Sequence, residues 1–294
     1  DSDESRGLGD VYKRQALTLG IIAAFAWGFH DICVRYLSQR TPLMASLLTV
    51  LIVGLAFHIS VMVVKEGFAP LTSQTTWLAI LSGVFFLMAS LGLYGAFQRG
   101  PVKLVAPIIA SYPVLSFAWA VLRGAEISIW QWGAVIIIII GVSLVAALAQ
   151  HESEENPPAG LTIAFAVTAA FGFAGTFAIG QYASEISGHL PVALLTRVTA
   201  IIILVAAMIV MQLPFWAGFR ALPTLVLMGV ADGIALLCLL AAGGLQDAQY
   251  AAVSSSCFGL LTILMAWAFL REKMTPPQWA GCAIAFAGIG YLAI

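Results

Sequence analysis

Apolar runs of roughly 20 residues, each long enough to cross a bilayer core as a helix, follow one another along nearly the whole chain. Short polar or Gly/Pro links separate them. The pattern predicts ten spans at about 16–37, 42–64, 75–98, 103–122, 128–149, 160–184, 190–212, 222–244, 248–270 and 277–293. The links contain expected breakers: Gly67 and Pro70, Gly100-Pro101, Gly188, Pro214 and Pro276-Pro277. Alternating strand patterning is absent, so helices and not barrel strands are expected. One connector is clearly hydrophilic: 150–159, QHESEENPPA, with three Glu, two Pro and no Lys or Arg.

Composition agrees. The chain is 61% hydrophobic and 9% charged, with a mean hydropathy of +1.00, well outside the range of soluble domains. A net charge of −1 with no basic cluster gives no footing for nucleic acid. Cys33, Cys238, Cys257 and Cys282 sit singly in apolar runs, so no metal site is expected and they are read as small core hydrophobes. No P-loop, GxSxG, HExxH or dinucleotide fingerprint stands in the right context, so neither an enzyme nor a bound cofactor is expected. Residues 1–15 carry seven charges and lack the layout of a signal peptide; they are set aside as a disordered or non-native leader.

The chain then repeats itself. Glu126 and Glu272 each close an apolar run and precede another, 146 residues apart. At the same offset Ala23-Ala24-Phe25 falls on Ala169-Ala170-Phe171, Tyr36 on Tyr182 and Ser38 on Ser184. This register reads as a tandem duplication, with repeats at 16–149 and 160–294 joined by the acidic connector 150–159. Five spans per repeat is an odd number, so the second repeat enters the membrane from the opposite side. The expected fold is all-α and integral to the membrane: ten transmembrane helices in two inverted five-helix repeats. Secondary transporters built in this way bind near the midplane, between the halves.

The sequence resembles the drug/metabolite transporter superfamily, with two EamA-type repeats. The resemblance rests on Trp27-Gly28, the series Tyr94, Ala96, Pro107, Pro113, Glu126, Gly133 and Gly141, and in the second half Ala242, Ala252, Glu272, Gln278, Gly281 and Gly288. It implies an alternating-access carrier, an exporter of small metabolites such as amino acids or related compounds, with protons as the candidate coupling ion. It also implies a multi-pass protein of the inner (cytoplasmic) membrane, a monomer or weak dimer, with both termini cytoplasmic. The positive-inside count points the other way: beyond the leader only Lys65 and Arg123 fall on that side, against seven bases opposite. Two features depart from the family pattern. The ninth span offers Ser254-Ser255-Ser256 where the fourth has Pro107 and Pro113, and Leu48 replaces an Arg whose seventh-span counterpart is Arg197. A channel or facilitative protein, and more remotely an intramembrane enzyme, are the alternatives.

Ionisable groups at bilayer depth cost roughly 2.5–3.5 kcal/mol each on insertion scales, so each needs a partner or a wet cavity. His30 and Asp31 follow Trp27 in the first span, with Arg35 one turn beyond as an i,i+4 partner for Asp31. His30 is a candidate proton site. Asp232 lies mid-span in Gly229-Val230-Ala231-Asp232-Gly233; it is expected to pair with Arg197 or a bound cation, or to carry a coupling proton. Pro107 and Pro113 remove backbone donors and, with Tyr112 and Ser254, Ser255 and Ser256 facing them, are expected to line a cavity together with Trp27, His30 and Asp31. His58 is read as interfacial or hydrogen-bonded, and Glu126 and Glu272 as helix-end residues.

Overall fold

The computed structural model describes residues 2–65, 70–115, 118, 128–150, 159–245 and 249–292. Among them there is no strand. In chain order the helices are α1 (Ser2–Leu37), α2 (Leu43–Val64), α3 (Ser73–Arg99), α4 (Val102–Ala110), α5 (Ile129–Gln150), α6 (Ala159–Ser187), α7 (His189–Val210), α8 (Leu222–Ala241), α9 (Gln249–Ser255), α10 (Phe258–Met265) and α11 (Pro276–Leu292). A 3₁₀ turn, Ala242–Gly244, extends α8, and a π-helical turn, Ala266–Leu270, extends α10.

Seven of these stretches are long and apolar enough to cross a membrane: Arg14–Leu37, Leu43–Val64, Ser73–Arg99, Ala159–Ser187, His189–Val210, Leu222–Gly244 and Ala251–Leu270. Val102–Leu115 and Trp132–Val145 are shorter apolar helices, and α11 has 17 residues. The far end of the expected fourth span, the link holding Glu126 and most of the 150–159 connector lie outside the described residues. The charged leader is continuous with α1 from Ser2.

Large apolar side chains point outward, among them Val63, Val64, Ile202, Ile209, Val210 and Leu227, while Asp31, His58, Arg197, Asp232 and several Ser and Thr are buried. That inversion of the usual soluble pattern suits a bundle whose solvent is lipid. Lipid gives no hydrophobic drive to helix pairing, so small residues that let backbones approach set the contacts. A Cβ on Gly172 of α6 would lie 2.6 Å from the backbone N of Ala89 on α3, and one on Gly92 of α3 would lie 2.7 Å from the carbonyl O of Phe165 on α6. The same device joins α5 to α11, where a Cβ on Gly141 would meet the N of Ala285 at 2.5 Å.

The packing has an internal correspondence. α1 lies on α8, and α6 on α3; α2 lies on α8, and α7 on α3; α1 meets α9 and α10, and α6 meets α4; α5 pairs with α11. Shifting the chain by one repeat turns each member of these pairs into the other.

Two helices are broken at matching places. α4 carries Pro107 and stops at Ala110; Ser111 forms a turn, and its Oγ donates to the Ile108 carbonyl at 2.7 Å. The expected single span at 248–270 is likewise split between α9 and α10, at Ser256 and Cys257. No proline is needed there. Ser254, Ser255 and Ser256 each turn a hydroxyl back onto the carbonyl three residues earlier (Ala251, Ala252 and Val253) at 3.4, 2.9 and 2.6 Å. Such back-bonding competes with the helical ladder and bends it. Ser111 and Cys257 are 146 positions apart, the offset of the duplication.

Candidate functional site

The buried polar groups gather where α1, α2, α3, α7 and α8 meet. From α8, Asp232 projects between two close approaches: a Cβ on Gly229 would sit 2.6 Å from Val53 Cβ, and one on Gly233 would sit 2.7 Å from a ring carbon of Phe57. These glycines bring α8 onto α2, and the carboxylate between them is carried inward, 6% exposed. Arg197, fully buried on α7, meets it: Nη2 lies 2.8 Å from Asp232 Oδ2. The expected pair is therefore present. Gly54 on α2 makes room for the guanidinium, since a Cβ there would lie 2.4 Å from Nη1, and the Phe86 ring stands 5.3 Å from Cζ. At 2.8 Å the guanidinium and the Asp232 carboxylate form a buried ion pair.

The other oxygen of Asp232 is occupied from α1. Trp27 Nε1–H donates to Oδ1 at 3.0 Å. One turn on, His30 reaches both ways: Nδ1 is 3.0 Å from Asp31 Oδ1 and Nε2 is 3.2 Å from Tyr94 Oη on α3. Asp31 is fully buried, and its Oδ2 has no hydrogen-bond partner among the described residues. His58 on α2, fully buried, donates Nε2–H to the Gly233 carbonyl at 2.8 Å, the hydrogen-bonded one of the two roles expected for it.

Trp27, His30, Ser90, Tyr94 and Asp232 line one cavity, walled by Phe173 of α6 and by Leu47, Val50 and Leu51 of α2. Its volume is about 10 Å³, room for about one water. The expected set is thus only partly gathered. Tyr112 and Ser255 meet each other instead, at 2.5 Å, and Tyr112 Oη also donates to the Ala252 carbonyl at 2.5 Å. Ser254 reaches the Leu17 carbonyl at 3.3 Å. Tyr112 connects to the cavity through aromatic packing: Phe173 stacks on Phe177, and both touch Trp27 and Tyr112.

One pairing differs from the sequence reading. Arg35 does not neutralise Asp31. It lies a turn farther along α1, where Nε pairs with Glu272 Oε1 at 3.2 Å and Nη1 donates to the Phe97 carbonyl at 2.8 Å. Glu272 Oε2 accepts the Val102 backbone N–H at 2.9 Å, capping α4, so the helix-end reading of Glu272 was right but missed its charged partner. Beside it Lys103 Nζ donates to the Lys273 carbonyl at 3.0 Å and to Gln278 Oε1 at 3.3 Å. Tyr94 and Ser90 were missed as cavity groups; the signal was two hydroxyls four apart on one face of an apolar helix. Among the described residues no cluster of three or more His, Cys, Asp or Glu could hold a metal, and Cys33, Cys238, Cys257 and Cys282 are free thiols.

The model of the EamA-like transporter family matches residues 14–147 and again 160–294. The chain belongs to that family. This EamA-like protein is therefore a multi-pass membrane transporter, as its resemblance to the drug/metabolite transporter superfamily implied. It is 25% identical over 132 residues to the uncharacterized protein MJ1333.1 of Methanocaldococcus jannaschii, an alignment covering 45% of this chain and 96% of that protein. It also matches a solved crystal structure of a protein at 14% identity, with a TM-score of 0.70, over 95% of this chain and 98% of that one; at that identity the likeness concerns the fold alone.

Proposed function

We propose that this protein is a secondary transporter that exports small metabolites such as amino acids or related compounds, by alternating access around the cavity at Trp27, His30, Ser90, Tyr94 and Asp232, with coupling to protons. One observation carries the reading: in a chain of a transporter family, the buried ionisable groups converge on a cavity between helices of both repeats. Ionisable groups at bilayer depth are retained mainly where a substrate or ion passes. A space for one water is too small for a metabolite, so the conformation is a closed one and the site must open to load.

The reading extends to architecture. Ten spans in two inverted repeats are supported by the double family match, by a relative about one repeat long, and by the repeat-for-repeat correspondence of the packing. Discontinuous helices at corresponding places in two halves accompany midplane sites in transporters, and the breaks at Ser111 and at Ser256–Cys257 meet through Tyr112 and Ser255. Family resemblance supports a carrier of the cytoplasmic membrane, a monomer or weak dimer with both termini cytoplasmic.

The test is a counterflow screen of amino acids and related metabolites with the purified protein in liposomes, with and without an imposed pH gradient. Saturable flux stimulated by substrate on the opposite side, and driven by the gradient, is expected. Flux that does not saturate would make it a channel, and turnover of a screened compound would make it an enzyme.

A further inference from the structure

The buried charges around the cavity do not balance without one more proton. Arg197 and Asp232 cancel, and Asp232 has both oxygens engaged, one by the guanidinium and one by the Trp27 indole N–H. That leaves Asp31, fully buried, with His30 as its ionisable contact and Oδ2 unpartnered among the described residues. Arg35, the cation that could have neutralised it, is committed to Glu272. Among the described residues, neighbouring elements contribute no other cation to this spot. Tyr94 on α3 touches His30, Asp232 faces it from α8, Cys33 lies nearby on α1, and α10 has no ionisable side chain. His58 on α2 uses Nε2–H on Gly233, and a proton on Nδ1 would find no acceptor among the described residues.

The geometry points to the His30–Asp31 pair as the site that binds the coupling proton, with Asp232 as a fixed counter-ion. The pair is neutral at bilayer depth only when it holds one proton, on the imidazole as an ion pair or on the carboxyl beside a neutral ring. Losing that proton leaves a net negative charge in a low-dielectric site, which is costly unless a cation or water replaces it. His30 is at once the Asp31 partner and a cavity wall. The proton therefore has a direct exchange route between the pair and whatever enters the cavity, and Tyr94 Oη on Nε2 can relay it. The step is a proton transfer only: the proton leaves imidazolium or carboxylic acid for water in the cavity on one side, and returns from water on the other.

This assignment rests on the transport reading for its purpose but not for its test. Infrared pH-difference spectra of the full chain in lipid need no substrate, because the probe is the proton itself. The wild type is expected to give pH-dependent bands of a buried carboxylic acid or an imidazolium. Asp31→Asn should abolish them, since the anion then left near His30 is Asp232, already neutralised by Arg197. The double variant Asp232→Leu with Arg197→Met, which removes the counter-ion pair without changing the net buried charge, should keep them. Asp31→Glu, which preserves the acid, should retain a shifted band; if Asp31→Asn fails to fold, His30→Gln takes its place and should remove the imidazolium band or shift the carboxylic one. Bands that survive unshifted in Asp31→Asn or His30→Gln, bands lost in the double variant Asp232→Leu with Arg197→Met, or a wild type with no such bands would overturn the assignment. The transport reading fails separately: no counterflow of any screened metabolite, with the bands behaving as stated, would leave a proton site in a protein that does not carry those compounds.

Discussion

Arg197 and Asp232 meet at 2.8 Å across the hairpin of α7 and α8, the guanidinium fully buried and the carboxylate nearly so. Breaking a buried pair by removing one partner costs about 3–5 kcal/mol, because the other charge is left uncompensated, whereas replacing both by apolar groups is often neutral. Asp232→Asn and Arg197→Met are each expected to destabilise the protein by that amount. Asp232→Leu combined with Arg197→Met should recover most of the loss. Thermal unfolding in detergent of the single and double variants checks this; additive losses would mean that the pair is not the unit of stability.

The glycines of α3 and α6 sort into those that must stay and those that need not. Gly172 faces the backbone of Ala89, and Gly92 that of Phe165 and Ala169, all under 3.0 Å from a notional Cβ. Backbone cannot swing aside as a side chain can, so Gly172→Leu should push the helices apart and cost several kcal/mol, the range of core overpacking or more. Gly133 on α5 has nothing within 4 Å; Gly133→Ala should be neutral or stabilising by about 0.5–1 kcal/mol through helix propensity. Expression yield and unfolding temperature of the two variants separate them.

Much of this was legible in the chain. Hydropathy placed the seven long apolar spans, because twenty-residue apolar runs leave few alternatives in lipid. Adjacent runs brought Arg197 to Asp232, since neither has an opposite charge within its own run. Counting along one helix was misleading at Arg35: i,i+4 spacing put it beside Asp31, but the reach of its side chain carried it to Glu272, 237 positions away. The second helix break was only half legible. A serine run has no obligatory effect on a helix; here the Ala252 carbonyl, which still accepts the Ser256 N–H at 3.3 Å, also takes the Ser255 and Tyr112 hydroxyls, and α9 ends beside it. Tyr94 stayed hidden because a tyrosine in an apolar helix reads equally well as packing, and only its contact with His30 distinguishes it.

At the crossing of the broken helices, Tyr112 Oη is shared between the Ala252 carbonyl and Ser255 Oγ. Tyr112→Phe keeps the ring on Phe173 and Phe177 and removes only the hydroxyl. Intramembrane hydrogen bonds of this kind average about 0.6 kcal/mol and reach about 1.7 kcal/mol, and the Ala252 carbonyl keeps Ser255 as a donor. A loss of about 0.5–1.5 kcal/mol in unfolding free energy is expected, well below that of Asp232→Asn. A loss as large as that of the ion pair would mean that the hydroxyl, and not the serine run, maintains the break.

Arg35, Glu272 and the start of α4 form the contact most suited to closing one end of the bundle. Arg35 ties α1 to the segment after α10 and to the carbonyl of Phe97 at the end of α3; Glu272 ties the same segment to the first N–H of α4. Four elements are thereby held by two side chains that are only partly buried, at 19% and 15% exposure, so the pair can break without stranding a charge away from water. Glu272→Gln removes the charge but keeps an acceptor for Val102; Glu272→Ala removes both. If this contact holds the end shut, the probability of opening should rise by roughly tenfold for each 1.4 kcal/mol lost. A cysteine introduced at Ser90 in a variant with Cys33, Cys238, Cys257 and Cys282 replaced should then react faster with a water-soluble maleimide, with Ala exceeding Gln. The exchanged pair Arg35→Glu with Glu272→Arg should restore slow labelling only in part, since Arg cannot accept the Val102 N–H. Labelling rates that are the same in all these variants would mean that the end is closed by the apolar packing around it and not by Arg35 and Glu272.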